Sequence, residues 1–192
     1  MDVMQAIKER RAIRKYRPDP VSDEALRTVL EAARWAPSWG NSQCLKLIVV
    51  RDPSIKSQLA DTLRSKTPGG KNSATDGFRT AGVALVACAA DGLSGCYKGE
   101  QGETILATDK GKWWLMFDVG LAMQNLTLAA HALGLGTVHI GMFDAEKVRQ
   151  ILGIPENLTI VEMLVLGWPD EKPAPRPRKE ISEFVTYDKY SR

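Results

Sequence analysis

The sequence predicts a mixed helix-and-sheet fold, in which a sheet of about four or five strands carries helices on both faces and packs against one central hydrophobic helix. Apolar runs at residues 45–50, 81–90 and 158–166 are typical of buried strands. Residues 112–133 are apolar on nearly every helical face, which is typical of a central buried helix. The elements do not alternate regularly, and no Gly-x-Gly-x-x-Gly follows a strand, which argues against a nicotinamide-binding Rossmann domain.

The remaining elements follow from helical periodicity and from capping residues. Residues 22–35 and 53–65 each repeat apolar side chains at helical spacing, which predicts a helix with one buried stripe over 22–35 and a surface helix over 53–65. Asp144 is a good N-cap for a third helix over residues 145–152. Residues 137–140 are short and strand-like.

Composition limits the classes of protein that this chain can belong to. The chain has 192 residues, of which 44% are hydrophobic and 26% charged, and this balance favours one globular domain. A net charge of +3 is too small to indicate nucleic-acid binding. The three cysteines, Cys44, Cys88 and Cys96, form no C-x-x-C pair, so a reduced, cytoplasmic protein is expected. We expect neither a signal peptide nor a membrane-spanning segment, because no apolar run is long enough.

A basic stretch, residues 10–17, carries five cations within eight positions. It directly follows a short amphipathic segment and precedes Pro18. Cations at the end of a helix can complement its dipole and bind its last carbonyl groups. Planar guanidinium groups gathered in one place can equally form an anion site, above all for a phosphate. The stretch alone leaves both interpretations open.

Loops separate the elements at three places. Residues 36–43 combine Pro, Gly, Ser and Asn, and form a loop rich in amide and hydroxyl groups. Residues 67–73 contain a Gly-Lys pair, but Walker spacing would need a glycine where Ser65 stands, so a nucleotide P-loop is not expected. Residues 91–111 form a long connection without a clear period, and such connections are usually lids or partly disordered.

Three groups of motifs, taken in order, resemble the nitroreductase family of flavin enzymes. Residues 10–14, Arg-Arg-Ala-Ile-Arg, match the pattern R-R-S-x-R. Residues 33–43 are similar to the loop pattern A-x-x-A-P-S-x-x-N-x-Q. The third group is Gly-Leu-Gly-Thr-Val-His-Ile-Gly at 134–141, with Leu-Gly-Trp-Pro at 166–169 and Arg-Pro-Arg at 176–178. The resemblance covers almost the whole chain.

The resemblance implies an α+β fold with a central mixed, mainly antiparallel sheet flanked by helices, in a single domain over residues 1–192. It also implies a homodimer that binds flavin mononucleotide (FMN) at the subunit interface. NADH or NADPH would supply electrons, which pass through flavin N5 to nitroaromatic, quinone or similar small acceptors by a ping-pong mechanism. No nucleic acid, membrane, metal or protein nucleophile is expected to take part.

The same resemblance assigns residues to the cofactor. Arg10, Arg11 and Arg14 match positions near the FMN phosphate, ribityl chain and pyrimidine edge. The loop at 37–41 matches the one that reaches the flavin from the partner subunit, and Ile140 and Gly141 match the segment under the ring near N5. The full set of expected cofactor-binding positions is Arg10, Arg11, Ala12, Arg14, Pro37, Ser38, Asn41, Gln43, His139, Ile140, Gly141, Arg176 and Arg178. His131, on the long helix, is interpreted as a satisfied core histidine.

The chain departs from the family pattern at several positions. Ala12 replaces the usual hydroxyl residue, so we expect FMN binding to be weaker by roughly 1 kcal/mol. Cys44-Leu45-Lys46 replaces the common Pro-Trp after Gln43. An insert at 91–114 has no family counterpart and is expected to be a substrate lid, and residues 169–192 are expected to be an extension that packs on the dimer. The candidate acceptor-binding residues in the insert are Cys96, Tyr97, Trp113 and Trp114, and plain core packing is the alternative for the two tryptophans.

Two other functions fit the same residues. One is a flavin-binding carrier or sensor that NAD(P)H does not reduce. The other is a flavin reductase or a dehydrogenase-like relative on the same fold, because a fold does not fix its substrate.

Overall fold

The computed structural model describes residues 1–190 as six helices and six strands, with short 3-10 turns at Trp39–Asn41 and Ile181–Glu183. The helices are α1 Val3–Glu9, α2 Asp23–Arg34, α3 Pro53–Asp61, α4 Thr75–Thr80, α5 Trp113–Ala132 and α6 Ala145–Leu152. The strands are β1 Leu45–Val50, β2 Val83–Ala90, β3 Cys96–Lys98, β4 Thr104–Leu106, β5 Gly136–Ile140 and β6 Leu158–Gly167. No helix in the described part of the chain is long and apolar enough to cross a bilayer.

Four strands form the central sheet in the order β1-β2-β6-β5, and every neighbouring pair is antiparallel. A single parallel bridge joins Ala12 to Thr137 at the β5 edge, so the basic stretch extends the sheet there. The two remaining strands, β3 and β4, pair with each other in a separate hairpin. The predicted sheet, mainly antiparallel and flanked by helices, is therefore confirmed.

The sheet separates two hydrophobic cores because successive side chains of a strand point to opposite faces. On β2, Val83 and Leu85 face the core formed with α2 and α5, whereas Ala84 and Val86 face the core that includes residues of α3, α4 and α6. All four side chains are fully buried. The predicted placement of helices on both faces is confirmed.

Helix α5 is central but is not covered on every side within one chain. Its inner side chains Val119, Met123 and Leu126 are fully buried against the sheet and α2. On its outer side Trp113 is 66% exposed and Phe117 is 55% exposed. Helix α1 also exposes its apolar side chains, which are Val3, Met4 and Ile7. Two neighbouring helices thus present uncovered apolar surface, which is unusual for an isolated domain.

The structure corrects several local expectations. Helix α3 ends at Asp61 rather than at residue 65, because Thr62 caps it and Leu63 pairs with Phe143. The connection after β2 contains the β3-β4 hairpin, and the short helix α4 was not expected. Within one chain Ile181 and Phe184 of the extension are each 68% exposed, so the expected packing of the extension on the dimer stays a prediction. The last two residues of the extension, 191 and 192, lie outside the described residues.

Candidate functional site

The basic stretch leaves α1 and runs alongside β5. The backbone N–H of Ile13 donates to the carbonyl of Thr137 over 2.9 Å, and the Ile13 side chain is buried. Gly136 allows this close approach, because a Cβ at that position would lie 2.7 Å from Cγ1 of Ile13. A Cβ on Gly77 would fall on the carbonyl oxygen of Arg14. The stretch therefore lies between α4 and β5, at positions where two glycines leave room for its backbone.

The two interpretations of the basic stretch apply to different arginines. Arg11 binds the end of α1, since its guanidinium donates to the carbonyls of Lys8 and Arg10 over 2.7 and 2.8 Å. Arg10 makes no side-chain hydrogen bond or ion pair with any described residue, although it is half-buried. Arg11 thus acts as a helix cap, whereas Arg10 remains available to an anion.

Arg10 and Arg11 line a cleft of about 560 Å³, which we call the basic cleft. The end of α5, the start of β5 and the beginning of the extension form its other walls. Its lining residues are Met1, Glu9, Arg10, Arg11, Ile13, His131, Gly134, Leu135, Gly136, Thr137, Pro169, Glu171, Lys172, Pro173 and Pro175.

His131 lies in the wall of the basic cleft, in the last turn of α5. Its Nε2 is buried and has no hydrogen-bond partner among the described residues, so the interpretation as a satisfied core histidine is wrong. A buried polar atom without a partner costs about 1–3 kcal/mol. His131 is thus a second residue of the basic cleft, beside Arg10, whose side chain has hydrogen-bonding capacity that no described residue uses.

The extension is fastened next to the basic cleft by backbone pairing. The N–H of Asp170 donates to the carbonyl of Lys15 over 2.9 Å. The Glu171 carboxylate accepts from the backbone N–H groups of Arg14 and Lys15. The extension lines the cleft only as far as Pro175.

The arginines predicted to close the cofactor site lie beyond that point. Arg176 and Arg178 are exposed, and the Arg178 guanidinium donates to the carbonyls of Arg176 and Pro177 over 3.3 and 3.1 Å. Neither side chain lines the basic cleft within its own subunit.

The polar loop, residues 37–43, is held by one buried carboxylate that the sequence showed only as an interruption of an apolar helix. Asp118 of α5 is 4% exposed. It accepts from the Trp39 N–H over 3.0 Å, from the Ser42 hydroxyl over 3.1 Å and from the Ser94 hydroxyl over 2.7 Å. The Cys44 thiol lies 3.7 Å from the same carboxylate. Burial, and then the negative charge of Asp118, raise the pKa of that thiol.

The backbone of the polar loop is left-handed at Gly40, Asn41 and Gln43, with φ of 52°, 55° and 47°. The two residues with side chains pay a steric penalty for this conformation, although asparagine tolerates it best. Such strain persists only where the surrounding structure enforces it, and it concentrates at functional sites. The bonds to Asp118, together with the bond that the Gln43 N–H donates to the Ser38 hydroxyl over 3.0 Å, provide that constraint, and Asn41 and Gln43 are exposed.

The polar loop and the basic stretch line different clefts of one subunit. Pro37, Ser38 and Gln43 line a smaller cleft of about 270 Å³, together with Cys44 and Asp118. None of these five residues lines the basic cleft. The two motifs that the resemblance assigns to one cofactor are therefore not brought together by a single chain.

The end of β5 and the residue after it carry Ile140 and Gly141, which the resemblance places under the flavin ring, and His139, which is expected close to the flavin. The His139 ring contacts the Thr127 hydroxyl and the Glu162 carboxylate, each over 2.9 Å, so both of its nitrogens have partners. The Ile140 side chain is buried in the core that includes α3, α4 and α6. Gly141 is exposed, and a Cβ placed there would meet nothing within 4 Å.

The candidate acceptor-binding residues divide into exposed and fixed side chains. Tyr97 is 53% exposed and Trp113 is 66% exposed, so core packing does not account for either. Trp114 is half-buried; its indole N–H donates to the Thr108 hydroxyl over 2.8 Å. Cys96 is buried at 8% exposure.

Comparisons with known proteins agree with this architecture. A family model described as "Nitroreductase family" matches residues 7–168. The chain is 32% identical to a Thermus thermophilus protein named NADH dehydrogenase, over 97% of this chain and 96% of the relative. It is 29% identical to the FMN reductase of Bacillus subtilis, over 92% of this chain and 70% of the relative.

A solved structure of NADPH:FMN oxidoreductase from Vibrio harveyi, complexed with NAD+, superposes with a TM-score of 0.79 at 26% identity. The superposition covers 99% of this chain and 78% of that structure's chain. With a family match over most of its length and a relative aligned almost from end to end, the chain belongs to the nitroreductase family.

Proposed function

We propose that this protein is a homodimeric, FMN-dependent oxidoreductase that takes electrons from NADH or NADPH and passes them to nitroaromatic, quinone or similar small acceptors. The observation that carries the proposal is the basic cleft, where Arg10 is half-buried without a partner among the described residues. Membership of the nitroreductase family, with relatives named for NADH, NADPH and FMN, supports the choice of cofactor.

The residues of the basic cleft fit the phosphate end of FMN. A phosphate dianion needs several charge-assisted donors, and the cleft offers the Arg10 guanidinium, with the lining residue His131 as the proposed second donor. Ala12, which replaces the family's hydroxyl residue, offers no side-chain donor, so the arginine and histidine would carry more of the binding. Arg14, four residues after Arg10, is half-buried, and the resemblance places it near the pyrimidine edge of the flavin.

Two subunits are needed to complete the site. Because the polar loop and the basic stretch line separate clefts, Pro37, Ser38 and Asn41 would reach the flavin of the other subunit. The exposed apolar sides of α1 and α5 supply the surface for such a dimer. The exposed Ile181 and Phe184 of the extension could be covered in the same assembly.

When bound, FMN supplies the redox chemistry by accepting a hydride at N5 and releasing electrons to the acceptor in a ping-pong cycle. The protein binds and orients the reactants. A cation at the pyrimidine edge, for which Arg14 is the candidate, favours the negatively charged reduced form. The open backbone at Gly141 leaves room beside the ring, and the exposed Tyr97 and Trp113 can contact an aromatic acceptor.

The direct test is an anaerobic visible spectrum of the protein reconstituted with FMN, recorded before and after addition of NADH and then NADPH. We expect the flavin band to bleach, and the more effective nucleotide identifies the donor. Protein that retains no flavin would overturn the proposal. Bound FMN that neither nucleotide reduces would instead indicate a carrier, a sensor or an enzyme with another electron donor.

A further inference from the structure

The Asp118 carboxylate joins two segments that make no hydrogen bond with each other in the described structure. Trp39 and Ser42 belong to the polar loop, and Ser94 belongs to the insert at 91–114. Both hydroxyls donate to the same oxygen, Oδ2, over 3.1 Å from Ser42 and 2.7 Å from Ser94. A carboxylate oxygen has few acceptor positions, so a change in either bond alters the geometry that is open to the other.

The Ser94 end of this connection is rigidly attached to the β3-β4 hairpin. Ser94 is only 2% exposed. The next residue, Gly95, has φ of 69°, and a Cβ there would lie 2.7 Å from Cδ1 of Trp114. The carbonyl of Gly95 accepts from the N–H of Ala107 over 2.8 Å, just beyond β4. Ser94 would therefore move together with the hairpin, because these contacts leave no flexible segment between them.

We propose that Asp118 is a positioning residue that couples the hairpin to the polar loop, so that an acceptor bound against the hairpin changes how the loop lies on the flavin. The significance for the flavin rests on the proposed function, whereas the coupling between the two segments does not. The loop is suited to such control, because its left-handed residues Asn41 and Gln43 are strained and the bonds from Trp39 and Ser42 to Asp118 help to hold them in place.

Cys44 provides a reporter of the loop that is independent of the flavin. Its thiol lies 3.7 Å from Asp118 and is 1% exposed, so a thiol reagent reaches it only when the loop opens. Cys88 and Cys96 are also buried, and mass spectrometry distinguishes the three labelled cysteines.

The experiment is a double-mutant cycle with Ser94→Ala and Ser42→Ala, which leaves the carboxylate and its charge in place. The rate of Cys44 alkylation by iodoacetamide is measured for the wild type, both single variants and the double variant. We expect Ser94→Ala alone to raise the rate roughly tenfold, because one charge-assisted bond is lost. We expect the two substitutions together to depart clearly from the product of the single effects.

Asn125→Ala is the matched control on the same helix, since the Asn125 amide donates to the carbonyl of Ala32 on α2 and not to the loop. We expect it to leave the Cys44 rate unchanged. Protein loaded with FMN supplies a second readout, in which Ser94→Ala shifts the visible circular dichroism of the flavin and raises the KM of the acceptor more than it lowers kcat.

The coupling would be overturned if the effects of Ser94→Ala and Ser42→Ala on the Cys44 alkylation rate simply multiplied. It would also be overturned if Ser94→Ala left that rate unchanged. If the two substitutions are coupled in protein that never binds FMN, the link between the hairpin and the polar loop stands and the proposed function is contradicted instead. Coupling at Cys44 with an unchanged flavin spectrum and KM would restrict Asp118 to a structural role and overturn the positioning proposal.

Discussion

The basic cleft and the polar loop are both assigned to the cofactor, yet they are built in opposite ways. The basic cleft is assembled within one chain by backbone contacts: Ile13 pairs with Thr137, and Gly136 leaves room for the approach. The polar loop is held on a surface by side-chain bonds to a single carboxylate, Asp118. It leaves its amide groups exposed and lines a cleft of its own.

In the proposed site, the basic cleft binds the phosphate of the cofactor, whereas the polar loop completes the site of the other subunit. A cleft built from contiguous backbone can receive a phosphate in one subunit, and its cations need little rearrangement. A strained, exposed loop contributes to a binding site only when another surface lies against it. On the proposed function, breaking the dimer removes the polar loop's contribution to FMN binding and leaves the basic cleft folded.

The largest expected effect comes from breaking the dimer. Phe117→Glu places a charge on the outer side of α5, where Phe117 is 55% exposed in one chain. Burial of a phenylalanine is worth about 1.5–3 kcal/mol, and an unpaired buried charge adds a further penalty. We expect sedimentation to show a monomer at micromolar concentration and FMN to be largely lost. Arg27→Glu on the exposed side of α2 is the control and should remain dimeric.

A mixing experiment tests whether the two regions meet across the interface. Arg10→Ala disables the basic cleft and Asn41→Ala disables the polar loop, so each homodimer has two defective sites. We expect FMN to bind Arg10→Ala more weakly by about 1.5–3 kcal/mol, as for a hydrogen bond to a charged group.

Hybrid dimers of the two variants distinguish the arrangements. If the loop serves the partner's flavin, one hybrid site carries both substitutions and the other carries neither, so half of the flavin is retained with wild-type affinity. If each subunit completes its own site, no hybrid site is intact and titration finds no tight binding.

The backbone contact that builds the basic cleft can be tested through stability. In Gly136→Ala the new Cβ would lie 2.7 Å from Cγ1 of Ile13, so the basic stretch must shift away from β5. We expect unfolding of the FMN-free protein in urea to be easier by about 1–3 kcal/mol, as for other overpacked sites. Gly141→Ala is the matched control, because its Cβ meets nothing within 4 Å, and we expect a change within about 0.5 kcal/mol.

Periodicity and capping were sufficient to predict most of the fold. The four strands of the sheet and the helix after Asp144 were recovered within about two residues, because each is a strongly patterned local signal. The β3-β4 hairpin was missed because its strands span three residues each and Tyr97 and Leu106 are exposed, so no alternation of buried and exposed positions is readable.

The site was less predictable because its contacts are long-range. The spacing of cations allowed both a helix cap and an anion site, but it did not show that Arg11 would bind the carbonyls of α1 while Arg10 has no such partner. Asp118 joins residues more than 75 positions away, at Trp39 and Ser42, and a lone acidic residue in an apolar helix carries no local sign of its partners. The orphaned Nε2 of His131 depends likewise on the three-dimensional packing.

The smallest expected effect concerns the extension, whose arginines do not reach the basic cleft within one subunit. Arg178 is expected to close the phosphate end of the site, either by rearrangement of the extension or in the dimer, whereas Lys179 matches no family position. We therefore expect Arg178→Ala to weaken FMN binding by roughly tenfold and Lys179→Ala by less than about twofold, as for loss of one charge-assisted bond and of none. Riboflavin, which lacks the phosphate, should bind both variants alike in the same fluorescence titration. Equal FMN affinities for the two variants would mean that the extension contributes no phosphate ligand at Arg178, and the closing cation would then have to be sought in the basic cleft itself, with Arg10 as the first candidate.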